Sequence, residues 1–219
     1  MYSFTEENYL KSIFKLSYPL LEGVSTNAIA EDLSTKAASV TDMLKKLAEK
    51  DLINYEKYKG VSLTKKGSKV AISIVRKHRL WEVFLYDKLK FGWDEVHEIA
   101  EQLEHIQSEK LIDRLNEFLG NPKQDPHGDL IPDKNGKFPE LEKIKLSEAR
   151  IGSRYKITGV KDENVALLQH LEKLGIKLGL EIIIDERFEF DGSLILNLKS
   201  LGKVQVSSEV ANHVFVSIL

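Results

Sequence analysis

Four side chains able to hold a cation stand close together in this chain: His97, Glu101, Glu104 and His105. On a helix of about 3.6 residues per turn, offsets of four, three and one set all four within about one third of the circumference. Two carboxylates and two imidazoles suit a protein core badly, because burying them unpaired is costly. A divalent cation resolves that conflict, and oxygen plus nitrogen donors favour Mn(II) or Fe(II). The competing reading is a solvated helix face with an accidental pattern. Upstream, His78 and Glu82 repeat the i, i+4 spacing. If two such helices pack antiparallel, their polar faces meet, and Asn8 near the N-terminus becomes a candidate oxygen ligand. Asp125-Pro126-His127-Gly128 adds a carboxylate and an imidazole, although His127 alone would suit an ordinary surface position. The chain has no cysteine, which excludes disulfides, thiolate ligands and thiol nucleophiles.

These side chains need elements to position them. Apolar spacing predicts helices over residues 6–16, 26–33 and 37–50, then two short strands over 52–55 and 61–63 with a Gly-containing turn between them. Ser25 and Thr64 are suited to cap the second helix and a long helix over 65–89. Further helices are expected over 94–106 and 109–119, with Gly120 as a stop. Residues 121–139 hold four of the five prolines and read as a loop. Beyond them the period changes. Strands are expected over 154–160, 181–185, 193–198, 203–206 and 213–218, with one helix over 164–174. Several short strands at close spacing suggest a small barrel or sandwich.

The first part of this pattern is a winged helix–turn–helix, whose third helix would enter the major groove of DNA. Burying Val40, Met43, Leu44 and Leu47 leaves Lys36, Ala38, Ser39, Asp42, Lys45 and Lys46 on the other face. Ser39 can bond a base edge or a phosphate, and Ala38 can touch a thymine methyl. Lys45 and Lys46, with Lys57 and Lys59 on the wing, suit phosphates. Asp42 either accepts from a cytosine amino group or repels the backbone. Charge supports the assignment despite a net −2: residues 34–80 carry 12 Lys/Arg against 4 Asp/Glu, and residues 81–145 carry 9 against 15. A basic stretch beside an acidic one suits a DNA reader joined to a cation-binding core.

Thr5-Glu6-Glu7-Asn8-Tyr9-Leu10, Arg76-Lys77-His78-Arg79-Leu80 with Glu82, and Val96-His97 with Glu101, Glu104 and His105 together resemble the diphtheria toxin repressor and manganese transport regulator family. Residues 56–64 resemble that family's wing, residues 125–132 its interdomain loop, and residues 146–219 its SH3-like domain. The resemblance implies a dimer that binds a palindromic operator when metal is bound and so blocks metal-uptake genes. It implies a primary site of Asn8, Glu101, Glu104 and His105, and a second of His78, Glu82 and His97 joined by Asp125 or His127. Asp162, Glu163 and Asn164 lie where some members take a ligand from the SH3-like domain. Asn8 stands where iron-type members have Met and manganese-type members have Asp. Glu101 is as in manganese-type members, where iron-type members have Cys. Lys11 stands where two-domain manganese regulators have a bridging Glu, and a cation there disfavours a metal pair.

The expected fold is mainly α with a C-terminal β domain: a winged helix–turn–helix (residues 1–64), a helical metal-binding and dimerisation domain (65–139) and an SH3-like small barrel (140–219). The expected partners are palindromic double-stranded operator DNA and a second copy of the chain, without a membrane. The N-terminal residues lack a signal-peptide layout, so a cytoplasmic location is expected. Mn(II) is the expected cofactor, with Fe(II) as the alternative. Three rivals remain at this point: a metalloenzyme using the His97/Glu101/Glu104/His105 face, a metal-blind regulator, and an SH3-like half serving only protein contacts. No nucleophile or Gly-rich phosphate loop supports an enzyme.

Overall fold

A computed structural model describes residues 2–18, 23–56, 60–160, 165–199 and 202–219. The chain divides into two compact units. One comprises Met1–His78, Glu101–Arg114 and Pro132–Phe138; the other comprises Arg79–Ala100, Leu115–Ile131 and Pro139–Leu219.

The first unit opens with α1 (Phe4–Ser17), closed at its N-terminus by a capping box. The Ser3 hydroxyl accepts from the Glu6 amide, and the Glu6 carboxylate accepts from the Ser3 amide. Tyr9, Leu10, Ile13 and Phe14 form its buried stripe. α2 (Thr26–Asp32) starts at a Ser25 side-chain cap, as expected, and α3 (Ala37–Glu49) follows after a short turn. Ile29, Val40, Leu44 and Leu47 are fully buried; Leu33 and Met43 are partly so. Each fully buried side chain contributes roughly 1.5–3 kcal/mol, so packing rather than propensity holds these short helices. β1 (Ile53–Glu56) pairs antiparallel with β2 (Gly60–Leu63), and Val24 exchanges backbone bonds with Val61 at 2.8 Å in both directions. Gly60 permits this approach: it sits at φ +89, and a Cβ there would meet the Val24 carbonyl at 2.9 Å.

α4 (Lys65–Asp87) is capped by Thr64, whose Oγ1 accepts from the Gly67 amide at 3.0 Å. α5 (Val96–Leu103) and α6 (Glu109–Phe118) follow. α5 is shorter than expected at both ends. After Leu103 the chain turns, with the Ile106 amide bonded back to the Leu103 carbonyl at 3.2 Å. Ser108 then accepts from the Leu111 amide and opens α6. Glu104 and His105 therefore lie in a turn, not on a continuous helix face.

The second unit carries β3 (Ile144–Lys145), β4 (Arg154–Val160), α7 (Val165–Lys173), β5 (Glu181–Arg187), β6 (Leu194–Leu198), β7 (Gly202–Val206), α8 (Ser208–His213) and β8 (Val214–Ile218). Its six strands form one antiparallel sheet in the order β3-β8-β4-β5-β6-β7. Leu146, Ile157, Leu171, Ile176, Ile184 and Leu196 fill its core, which Trp93 joins. β3 and α8 were not expected. A strand of two residues shows no period, and α8 is too short to display one despite its Ser207 cap. The fold class is the expected one: helical N-terminal regions followed by an SH3-like antiparallel sheet.

Candidate metal centre

Glu7, His78, Glu82, Glu104, His105 and Asp125 are all buried. Ionisable side chains are seldom buried without partners, so this concentration calls for a chemical reason.

The first unit gathers one group around Glu104, which is 0% exposed. Lys11, on α1, sets its Nζ 2.5 Å from Glu101 Oε1 and 2.7 Å from Glu104 Oε1. His78 Nδ1, on α4, lies 2.6 Å from Glu104 Oε2 and 4.0 Å from Glu101 Oε1. His105 has Nδ1 at 2.6 Å from Glu7 Oε2, and Phe4 stacks on its ring at 4.4 Å. Glu7 is steadied in turn by the Gln107 side-chain amide at 2.9 Å. Holding one ring nitrogen orients an imidazole and leaves the other for a ligand. Here the other, Nε2, lies 3.9 Å from Glu104 Oε1. Asn8 Oδ1, one helical turn before Lys11, is buried and accepts no hydrogen bond. A buried oxygen without a donor fits a cation.

The second unit gathers Glu82 on α4, His97 on α5, and Asp125 and His127 in the loop. Glu82 Oε1 lies 3.3 Å from His97 Nδ1 and 3.7 Å from His127 Nδ1. One ligand atom each from Glu82, Asp125 and His127 lie within 4.8 Å of one another. His127 Nε2–H donates to the Trp93 carbonyl at 3.0 Å, which turns Nδ1 toward Glu82. Asp125 Oδ1 accepts from the His127 and Asp129 amides at 2.8 and 3.0 Å, closing a tight loop. Burial, with the charges of Glu82 and Asp129, pushes Asp125 up to about 8 against the pull of Arg79 and His127. Burial alone would lower His127, but Glu82, Asp125 and the Trp93 carbonyl raise it to about 9. A carboxyl and an imidazole that hold protons this tightly lie in a cluster short of positive charge.

Of the expected second set, His78 Nδ1 lies against Glu104, and Glu82 lies against His97, with Asp125 and His127 beside it. Of the four residues read as one helix face, His97 and Glu101 lie on α5, while Glu104 and His105 follow its end at Leu103. Glu7 and Gln107 were missed. A signal for Glu7 existed in its i, i+4 spacing to Lys11, but two acids in a first helical turn read equally well as complements to the helix dipole. Asp162, Glu163 and Asn164 lie outside the described residues, as do Lys57 and Lys59 of the wing.

Lys36, just before α3, and Ala38, Ser39, Asp42, Lys45 and Lys46 on it are all exposed, opposite the buried Val40, Leu44 and Leu47. Asp42 pairs with Lys45 at 3.3 Å, which offsets one charge of this face. Among the described residues, no helix is long and apolar enough to cross a membrane.

Residues 1–61 match the iron-dependent repressor N-terminal DNA-binding domain. Residues 64–133 match the iron-dependent repressor metal-binding and dimerisation domain, and residues 144–218 match the FeoA domain. The iron-dependent repressor IdeR of Mycobacterium tuberculosis is 31% identical over 202 residues, covering 91% of this chain and 80% of that protein. A solved manganese-dependent transcriptional repressor in complex with manganese is 33% identical with a TM-score of 0.83, covering 98% of this chain and 100% of that one. The manganese regulator SloR is 37% identical with a TM-score of 0.72, covering 98% of each chain. The chain belongs to the iron-dependent repressor family: it is a metal-dependent, DNA-binding transcriptional repressor with a C-terminal SH3-like FeoA domain, not an enzyme.

Proposed function

We propose that this chain is a Mn(II)-responsive repressor of metal-uptake genes, acting in the cytoplasm as a homodimer on a palindromic operator. Residues 1–64 read DNA, 65–139 bind metal and dimerise, and 140–219 form the SH3-like part. The observation that carries the metal reading is the Asn8 oxygen, a buried acceptor without a donor, one turn from the lysine that grips Glu101 and Glu104. Asn8, Glu101, Glu104 and His105 form the primary centre, with His78 facing Glu104. Glu82, His97, Asp125 and His127 form the second. A bound divalent ion supplies positive charge and directed bonds to these oxygens and nitrogens. That ties α1, and the reading head attached to it, to the segment that follows α5. In a dimer this fixes two α3 helices about one DNA turn apart. Ser39 and Ala38 then face bases, and Lys36, Lys45, Lys46, Lys57 and Lys59 face phosphates.

The sulfur-free donor set supports Mn(II), as does the likeness to a repressor solved with manganese. The likeness to IdeR supports Fe(II) as the second reading. The test selects an operator from random duplexes in the presence of Mn(II), then measures affinity at buffered free concentrations of each metal, Fe(II) under anaerobic conditions. Full affinity with Mn(II) and a fraction of it with Fe(II) is expected; the reverse order sustains the iron reading.

The second centre should also report on pH. Ligand groups must lose their protons to bind metal. Asp125 and His127 hold theirs up to about 8 and about 9. Metal affinity there should rise between pH 6 and 9, by about tenfold per pH unit for each proton released. Calorimetry in buffers of different ionisation enthalpy counts those protons; an affinity flat across this range contradicts the assignment. The metal-free fold has the same dependence in its stability. Both groups bind protons more tightly folded than unfolded, so stability present at low pH is lost as pH rises through about 8 and about 9.

A further inference from the structure

Lys11 is a cation placed where the primary centre would hold a metal. Its ammonium lies 2.5 Å from Glu101 Oε1 and 2.7 and 2.9 Å from the two oxygens of Glu104. Glu104 is fully buried, so without a neighbouring cation its charge would be expensive to keep. A divalent ion would take the same oxygens at about 2.0–2.6 Å, inside the shell that the ammonium occupies. Two cations cannot share these lone pairs without strong repulsion. The Lys11 side chain is 16% exposed and has a four-carbon stem, so its head has a route to water.

We infer that Lys11 is a tethered competitor for the metal. Before metal arrives, it offsets part of the negative charge of Glu101 and Glu104 and links α1 to them. Metal must displace it, which raises the free concentration at which the repressor responds. Lys11 therefore sets the threshold of the sensor, where a neutral side chain would give a tighter site with a lower threshold. This rests on the reading of Glu101 and Glu104 as metal ligands.

The test measures Mn(II) affinity of the full chain in a His127→Ala background, which weakens the second centre and leaves the first to titrate. Lys11→Met keeps the length of the stem and removes its charge. It should bind Mn(II) about 10- to 100-fold more tightly, the range by which one close charge shifts an ionic equilibrium. Lys11→Arg should stay within about threefold of the parent. A lysine that merely braced the fold would act in the opposite direction, because a loosened site binds metal more weakly. Lys11→Met binding less than about threefold tighter, equally or more weakly overturns the competitor role. The companion variant Glu104→Gln tests the reading beneath it. If Glu104→Gln binds Mn(II) as the parent does, the ligand assignment itself fails; if it loses Mn(II) while Lys11→Met gains none, only the competitor role fails.

Discussion

Glu104→Gln should cost about 100-fold or more in Mn(II) affinity and remove metal-dependent operator binding, while the chain still folds and dimerises. Groups that only orient a ligand typically cost about 10- to 100-fold in affinity when removed, so a ligand should cost at least the upper end. Glu104 is the hub of the proposed primary centre. It is 0% exposed, the Lys11 ammonium lies 2.7 and 2.9 Å from its two oxygens, and His78 meets it at 2.6 Å. The amide keeps the shape and removes the charge. Lys11 retains Glu101 as a partner, so the fold should survive. Titration calorimetry, operator binding and sedimentation on the same preparation separate these effects. A variant that keeps full metal dependence would show that another residue holds the ion.

The second large effect is expected at Gly128, between the ligand candidate His127 and β4. It sits at φ +90, and a Cβ there would lie 2.2 Å from the Thr158 carbonyl oxygen and 2.3 Å from the Gly159 Cα. Both are backbone atoms, so neither yields cheaply. The Val160 amide donates to the His127 carbonyl at 2.8 Å, and the Gln124 side chain bridges the Gly128 and Thr158 carbonyls. Gly128→Ala combines left-handed strain with a main-chain clash, for a cost of about 3–4 kcal/mol. That lowers the melting temperature by roughly 6–16 °C for a chain of this size. It also pushes Asp125 and His127 off the second centre, so metal affinity there should fall with stability. Gly120 is the control: its φ is +78, but a Cβ would meet nothing within 4 Å. Gly120→Ala should lose only about 1–2 kcal/mol. Equal melting of the two variants would contradict the close-packing account. Because β4 belongs to the SH3-like sheet, that sheet holds the loop that carries two candidate ligands.

Local chemistry made much of this fold legible. Ser25 and Thr64 cap the helices assigned to them, and Gly60, at the start of β2, takes a positive φ. The α3 stripe predicted which side chains face out, because a helix with three deeply buried apolar residues has one other face. What sequence did not show was tertiary. Periodicity ran on through Leu103 and Ile106, and nothing local marked the turn that carries Glu104 and His105 between them. The spacing of His78 to Glu82 suggested one site, but it did not show that His78 also meets Glu104 or that Glu82 also meets His127, partners that come from elsewhere in the chain. Glu7 looked like a surface acid in a first turn and is 3% exposed. Lys11 stood out only against the family pattern, and its grip on two carboxylates separated from it by some ninety residues is visible only in three dimensions.

The most direct test of the central claim is the affinity of the full-length chain for its selected operator, measured in a chelated buffer and again at saturating Mn(II). A metal that ties α1 to the centre around Glu104 couples the two binding events, and a coupling of about 3 kcal/mol corresponds to about 100-fold. Operator affinity about 100-fold higher with Mn(II) is the predicted result. Equal affinity in the two states would contradict the switch.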